Sequence, residues 1–344
     1  MNLLIYRITL ILTIIYPLYA GATGNVIYND FVFKSNNQTV VFMSAESGYN
    51  YLIKSDLFDK WNDYFDASIR LKKDLSAYTK SENLITYKTF LKEQCLYWEE
   101  GEIQNISQII QDVQVNIIKY SKQVLQDSLF MIKTSGKEEF RAFYTNQKAI
   151  IIPKPQLRFL KIKSIKRQME ETLVHEFFHI YSRYNVEKRE ELYSMIGFER
   201  ADKFAIPDEL EQSRITNPDF YDLNYTVALE DTAKGIPRNY VMLLISKYPK
   251  YAGVKNFIGI FSTLLGYLEV QFHYVDENGT VELTKTKIGN EIYKKTGTLS
   301  GYSLGVDEIL AEAFRVLITT SPESKGQLSN RDKEILQNMH TIIE

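Results

Sequence analysis

The sequence has little cysteine, little histidine and almost no net charge, and each scarcity excludes a class of protein. Cys95 is the only cysteine among 344 residues, so the chain cannot form an internal disulfide. The 41 basic and 43 acidic residues nearly cancel, leaving a formal charge of −2. We find no basic stripe interleaved with aromatic residues, and a nucleic-acid partner is therefore not expected.

Long apolar runs are also lacking, apart from one at the N-terminus. Arg7 is followed by an apolar run from Ile8 to Tyr16, and Ala20-Gly21-Ala22 fits an A-x-A cleavage site. This run is shorter than the ~20 apolar residues that a membrane-spanning helix needs. We therefore expect residues 1–22 to be a signal peptide, and the mature chain to be secreted or periplasmic without a membrane span.

Apolar residues are nonetheless plentiful overall, at 44% of the chain, which is enough for a large buried core. Helical periodicity dominates residues 51–129 and predicts three amphipathic helices, most clearly from Ile103 to Leu125. We expect an α+β, mostly helical protein. A mainly helical N-terminal region is predicted at 23–128 and a second domain at 129–344.

Strands are predicted in three places. One is TVVFMSA at 39–45, and a pair at 139–144 and 148–152 is joined at Asn146-Gln147. A hairpin is predicted in LEVQFHYVDENGTVELTKT, where Asn278-Gly279 supplies the turn residues. The sequence after residue 129 otherwise predicts helices at 165–184, 188–196, 253–267, 306–320 and 330–343.

The stretch ETLVHEFFHIYSRY holds two of the four histidines, His175 and His179. Residues four apart lie on one face of a helix, so both imidazoles can bind one metal ion. Glu176 is turned about 100° from His175, close enough to act on a metal-bound water without binding the metal. Burial of these polar groups among apolar neighbours is costly unless they have partners. The alternative is a pair of core histidines bonded to backbone carbonyls.

The other two histidines, His273 and His340, have no such spacing. We expect surface or structural roles for both.

A catalytic metal site usually has three protein ligands, so a third donor is expected elsewhere. GVDEILAEAFRVLI places Glu308 and Glu312 four residues apart on a largely apolar helix. Two like charges at this spacing call for a positive partner. A metal ion bound by the histidines would be a positive partner, and Arg315 is an alternative positive partner for Glu312. The rival third ligands are carboxylates that follow the second histidine, namely Glu199, Glu190 and Glu191.

Together the two motifs resemble those of the gluzincin metallopeptidases, the thermolysin-like branch of the zincins. Their second motif has the form E-x-x-[SA]-D, in which the glutamate binds zinc and the aspartate orients the first histidine. Glu308-Ile309-Leu310-Ala311-Glu312 matches this form with Glu in place of Asp. The resemblance implies a zincin-like catalytic domain with a small sheet beside the helix. It implies Zn²⁺ bound by His175, His179 and Glu308, with Glu312 supporting His175.

By the same resemblance, the protein would be a secreted zinc-dependent peptidase with a peptide or protein substrate and Glu176 as general base. Tyr302 is the first candidate to stabilise the oxyanion, and Tyr225 is the second. The strand at Ala149–Ile152 is expected either to align an extended peptide or to be covered by the N-terminal helices.

Two other functions stay open at this point. The first is a zincin-fold protein without turnover that has a structural role or binds a partner. The second is a helical interaction module in which the motif is accidental. Glu176 argues against a structural zinc site, which has no need of a carboxylate there.

Overall fold

The computed structural model describes most of the chain. The signal peptide expected at 1–22, the helix expected at 253–267 and Tyr302 lie outside the described residues. The described residues are 25–59, 65–201, 204–220, 222–231, 235–248, 251, 268–286, 288, 290–299 and 304–344.

Helices and strands alternate along the chain. The α-helices are α1 (Ala45–Leu52), α2 (Phe65–Leu71), α3 (Lys80–Gln94), α4 (Glu100–Ile118), α5 (Lys163–Tyr184), α6 (Val186–Met195), α7 (Asp208–Glu211), α8 (Glu291–Thr296), α9 (Val306–Thr319), α10 (Pro322–Gly326) and α11 (Asn330–Ile343). The strands are β1 (Val26–Ile27), β2 (Phe31–Ser35), β3 (Gln38–Phe42), β4 (Cys95–Leu96), β5 (Trp98–Glu99), β6 (Ser128–Thr134), β7 (Tyr144–Asn146), β8 (Ala149–Pro153), β9 (Phe198–Arg200), β10 (Tyr225–Asp231), β11 (Ile236–Ser246), β12 (Leu268–Val275) and β13 (Val281–Thr286).

A mixed sheet of six strands lies just before α5 in the chain. Its order is β2-β3-β6-β8-β7, and β4 pairs with one end of β6. The central pairs β3/β6 and β6/β8 are parallel, whereas β2/β3 and β7/β8 are antiparallel. All five residues of β8 are buried, as expected for a strand that is covered on both faces.

Helix α5, which we call the histidine helix, packs between α4 and α9. Ile106 of α4, Phe178 of the histidine helix and Phe314 of α9 belong to one core. The rings of Phe178 and Phe314 have their centroids 5.6 Å apart. This packing brings the faces of the two sequence motifs together.

The second sheet contains five antiparallel strands in the order β13-β12-β11-β10-β9. The predicted hairpin β12/β13 is confirmed, and Gly279 in its turn has a φ of 76°. Strands β10 and β11 were not predicted. The α+β class is confirmed, but the expectation of a mostly helical protein with a small sheet is wrong, because two sheets of five and six strands are present.

One predicted strand is also wrong. Residues 139–141 form a turn instead, in which Phe140 and Arg141 have φ values of 54° and 66°, and residues 142–143 have no regular structure. A residue with left-handed backbone interrupts an extended strand. This conformation usually occurs at Gly or Asn, so Phe140 and Arg141 gave no indication of it in the sequence. The predicted hairpin therefore begins only at Tyr144, and its turn has Gln147 at a φ of 52°.

The helices predicted at 165–184, 188–196, 306–320 and 330–343 are confirmed to within about two residues. The apolar face predicted from Ile103 is confirmed as far as Ile117, but α4 ends at Ile118 rather than near Leu125. The three helices predicted in 51–129 are confirmed as α2, α3 and α4 among the described residues, and α1 precedes them and ends at Leu52.

The division near residue 129 stays a prediction. Strand β3, before this point, pairs in parallel with β6, which spans it. The main core likewise contains residues from both sides, such as Ile106 and Phe178.

Cys95 is buried, and burial raises the pKa of its thiol to about 12, as expected for an inert core cysteine. Among the helices of the described ranges, none is both long enough and apolar enough to span a bilayer.

The packing of α4 predicts a stability difference between its two faces. Ile106 is fully buried, whereas Val115 on the same helix is 50% exposed. We expect Ile106→Ala to lower the free energy of unfolding by about 2–5 kcal/mol, because it leaves a cavity in the core. Val115→Ala should change it by less than about 0.5 kcal/mol. Urea denaturation of both variants measures the difference, and similar losses would contradict the packing described.

A buried acid near the first sheet predicts a pH dependence of stability. Glu138 is fully buried, and burial outweighs the hydrogen bonds from Thr134 and from nearby backbone groups and raises its pKa from 4.5 to about 7. The folded chain then holds a proton that the unfolded chain releases, so stability should fall as the pH rises through this window. Glu138→Gln should remove up to about 3 kcal/mol of that loss.

Urea denaturation at pH 5 and pH 8 tests this expectation. Part of the slope should remain in the variant, because burial also raises the pKa of Glu139 to about 7. Equal slopes for the wild type and Glu138→Gln would show that Glu138 does not titrate in this range.

Candidate metal centre

The histidine helix and α9 bring three potential metal ligands together. His175 and His179 lie on one face, with ring centroids 4.8 Å apart. Glu308 of α9 faces both rings, and its Oε2 lies 3.1 Å from Nε2 of His175 and 3.7 Å from Nε2 of His179. One ligand atom from each residue falls within 4.8 Å of the other two, so this group could bind a metal ion.

His179 provides an independent test of whether a cation fits here. The residue is fully buried, and its Nε2 has no hydrogen-bond partner among the described residues. An unpartnered polar atom in a protein interior is costly and asks for an explanation. A metal ion bound also by His175 and Glu308 would be a partner for this nitrogen. These three residues therefore fit the metal ion that the sequence motifs imply.

Asp307 fixes the orientation of His179. Its Oδ2 lies 2.6 Å from Nδ1 of His179, and its Oδ1 accepts hydrogen bonds from Ser182 (2.5 Å) and Tyr193 (2.7 Å). A carboxylate on Nδ1 holds the proton there and leaves Nε2 free to bind a metal. Asp307 was missed from the sequence, although it directly precedes Glu308 and metal-binding histidines commonly have such a partner.

Glu312 lies beside His175, where the sequence analysis expected it. Its Oε2 is 3.8 Å from Nδ1 of His175, which is longer than a hydrogen bond. Arg315 holds the same carboxylate with two hydrogen bonds of 2.6 and 2.8 Å, which is the alternative pairing that the sequence also allowed. Burial would raise the pKa of Glu312, but Arg315 and His175 outweigh it and lower that pKa to about 2.

The two carboxylate oxygens of Glu308 have different partners. Asn217 donates a hydrogen bond of 2.8 Å to its Oε1, while its Oε2 faces the histidines. Burial would raise the pKa of this carboxyl, but the nearby His179 and His175 lower it to about 2. An ionised carboxylate is the form that binds metal.

Glu176 and Asp219 form an acidic pair on the other side of His179. Glu176 is 4% exposed, and its Oε2 has no hydrogen-bond partner in the described part of the chain. Burial and the charge of Asp219 raise the pKa of Glu176 to about 8. Ligand atoms of Glu176, His179 and Asp219 also lie within 4.8 Å of one another.

Asp219 was not predicted. It lies in the segment between α7 and β10, and no spacing in the sequence relates it to the histidines. Its Oδ1 accepts hydrogen bonds from the backbone N–H (2.6 Å) and the hydroxyl (2.7 Å) of Thr145 in β7.

The rival carboxylates lie elsewhere. Glu199 is exposed in β9 and accepts a hydrogen bond of 2.6 Å from Ser194. Glu190 accepts one of 2.7 Å from Tyr225, and Glu191 lies 3.6 Å from Lys188. None of the three carboxylates belongs to a metal-binding group of the described residues.

Tyr225 was the second candidate for the oxyanion. Its hydroxyl is bonded to Glu190 rather than directed at the three candidate ligands. The first candidate, Tyr302, lies outside the described residues.

The structure favours one of the two roles expected for Ala149–Ile152. This part of β8 lies between β6 and β7, so β7 is the edge strand of the sheet. The N-terminal helices cover its face, since Leu52 of α1 and Leu91 of α3 share a buried core with Ile151. The outward N–H of Thr145 in β7 is itself bonded to Asp219.

The two remaining histidines have structural surroundings, as expected. His273 is buried, and its Nδ1 is bonded to the carbonyl of Glu282 at 2.8 Å. His340 packs against the ring of Tyr120.

The three hydrogen bonds to Asp307 predict a defect in metal binding. We expect Asp307→Ala to weaken metal affinity by about 10- to 100-fold, because His179 loses the group that fixes its ring. Glu199→Ala, which removes an exposed carboxylate that belongs to no metal-binding group of the described residues, should leave affinity unchanged. Competition with a chromophoric chelator measures both constants. An unchanged affinity in Asp307→Ala would contradict this role.

Comparison with known proteins adds no relative. No protein-family model matches the chain, and no curated protein or solved structure matches it either. The function is consequently argued from the residues of the site alone.

Proposed function

We propose that this protein is a secreted zinc-dependent peptidase of gluzincin type, with a zincin-like catalytic domain. One observation carries the proposal: Nε2 of His179, which has no hydrogen-bond partner in the described part of the chain, faces Glu308 and His175 beside a buried glutamate, Glu176. This is the arrangement that the H-E-x-x-H motif and a distant glutamate produce in that class of enzyme.

The donor set supports zinc as the metal. Two imidazole nitrogens and one carboxylate oxygen are the three protein ligands of many catalytic zinc sites. When bound, zinc supplies a Lewis acid that activates water and polarises a scissile carbonyl. His175, His179 and Glu308 would hold the ion, and Asp307 keeps His179 in the tautomer that binds it.

Glu176 is the proposed general base. Its position directly after His175 places its carboxylate next to the ligands, and its Oε2 has no hydrogen-bond partner among the described residues. In its ionised form, which the charge of a neighbouring metal ion would favour, Glu176 can take a proton from water and return it to the leaving amine. A structural site would gain nothing from this buried acid.

Asp219 favours a second candidate function, in which the chain binds a partner without turnover. Its carboxylate is close enough to His179 and Glu176 to belong to a second ligand group with them. If Asp219 bound the metal as well, it would occupy the position that a catalytic site leaves open for water. The protein would then have a closed, structural metal site.

Elemental analysis of the purified mature protein tests the metal site. We expect near-stoichiometric zinc in the wild type and in Glu199→Ala, and its loss in His175→Ala and Glu308→Ala, which each remove one of three ligands. Wild-type protein that binds no zinc even after reloading would overturn the proposed function.

Glu176→Gln separates catalysis from metal binding. The variant should keep its zinc and lose about 10²- to 10⁴-fold in the hydrolysis of a fluorescence-quenched peptide library, because it cannot accept a proton. Asp219→Asn is the matched test of the second candidate, since a closing ligand would be weakened and zinc content would fall. Zinc-loaded wild type with no peptide hydrolysis, together with zinc loss in Asp219→Asn, would favour the binding protein.

A further inference from the structure

Two side chains of the candidate site come from a segment that has no helix or strand of its own. Residues 215–220 follow α7, and within them Asn217 donates to Glu308 while Asp219 lies beside His179. An irregular segment places side chains accurately only if other contacts fix its backbone, because ordering each residue costs conformational entropy.

Helix α2, from the N-terminal half, supplies those contacts at Thr216. Asp66 accepts two hydrogen bonds from this residue, one of 2.8 Å from its N–H and one of 2.8 Å from its hydroxyl. Arg70 donates a hydrogen bond of 3.0 Å to its carbonyl. The residue directly before Asn217 thus has its N–H, carbonyl and hydroxyl all bonded to one helix.

The two side chains that hold Thr216 are themselves fixed. Asp66 is fully buried, Arg70 is 3% exposed, and they form an ion pair of 2.8 Å. Arg70 also pairs with Glu139, which follows β6. Charge-assisted hydrogen bonds are stronger than neutral ones, and removing one buried partner leaves the other uncompensated. The cluster can therefore act as a rigid anchor for the segment.

We infer that Asp66 and Arg70 are positioning residues for the metal ligand Glu308, acting through Thr216 and Asn217. Anchoring Thr216 aims the Asn217 amide at Oε1 of Glu308, so that Oε2 faces the two histidines. Second-layer partners of this kind orient metal ligands and set metal affinity. The inference rests on the metal site of the proposed function, but not on peptidase activity.

The inference assigns a task to part of the N-terminal half. Asp66 is 150 positions from Thr216 in the chain, yet the two are in direct contact. The N-terminal helices are then more than a cover for the sheet, because one of them fixes the second layer of the metal site.

A double-mutant cycle on metal affinity tests the inference. The variants are Asp66→Asn, Asn217→Ala and the double variant, with the zinc dissociation constant measured by chelator competition. We expect Asn217→Ala to weaken binding by about 10- to 100-fold, and Asp66→Asn to weaken it in the same direction. The double variant should be no weaker than Asn217→Ala alone, because both changes act through one hydrogen bond.

The visible absorption spectrum of the Co²⁺-loaded protein provides a readout of ligand geometry. Asp66→Asn should alter it as Asn217→Ala does, which a general loss of stability would not achieve. If Asp66→Asn folds poorly, Thr216→Val replaces it in this test, because it keeps the size of the side chain and removes only the hydroxyl. Thr216→Val should change the spectrum in the same direction as Asn217→Ala.

Glu102→Gln is the matched control. It breaks another largely buried ion pair, that of Lys133 with Glu102 at 2.5 Å, which joins β6 to α4 rather than to residues 215–220. This variant should lower the denaturation midpoint without changing zinc affinity or the Co²⁺ spectrum. Equal zinc affinities in the wild type, Asp66→Asn and Thr216→Val would overturn the inference. A wild type that binds no metal would instead overturn the proposed function.

Discussion

The site depends on the contact between the histidine helix and α9. This contact brings the buried Glu308 and Asp307 to two histidines, and Glu176 and Asp219 are further acidic groups nearby. Carboxylates this close together raise one another's energy unless cations are placed among them. The two imidazoles, together with a bound metal ion, are the partners that the arrangement provides.

The parts of the site that follow a helical period could be predicted from the sequence. His175 and His179 lie on one face because they are four residues apart, and the like-charged pair Glu308 and Glu312 marked α9 as their partner. Most of the long helices were predictable for the same reason, since their apolar residues recur every three or four positions.

What could not be predicted depends on contacts between distant segments. Asp219 and Asn217 belong to an irregular segment, whose path is set by Asp66 and Arg70 rather than by local preference. Strand β11 was missed because its apolar residues, YVMLLI, follow one another without alternation, a pattern that a buried helix shares. Only its pairing with β10 and β12 identifies it as a strand.

Asp307 and Glu308 are neighbours in the chain, and their side chains leave α9 about 100° apart, one toward Nδ1 of His179 and the other toward Nε2 of both histidines. A rotation of α9 about its axis would therefore move the ligand and the residue that orients another ligand at the same time. The two contacts cannot be adjusted independently by shifting the helix. The rotation of α9 about its axis therefore sets both contacts at once. The apolar packing on the remaining faces of α9 determines this rotation.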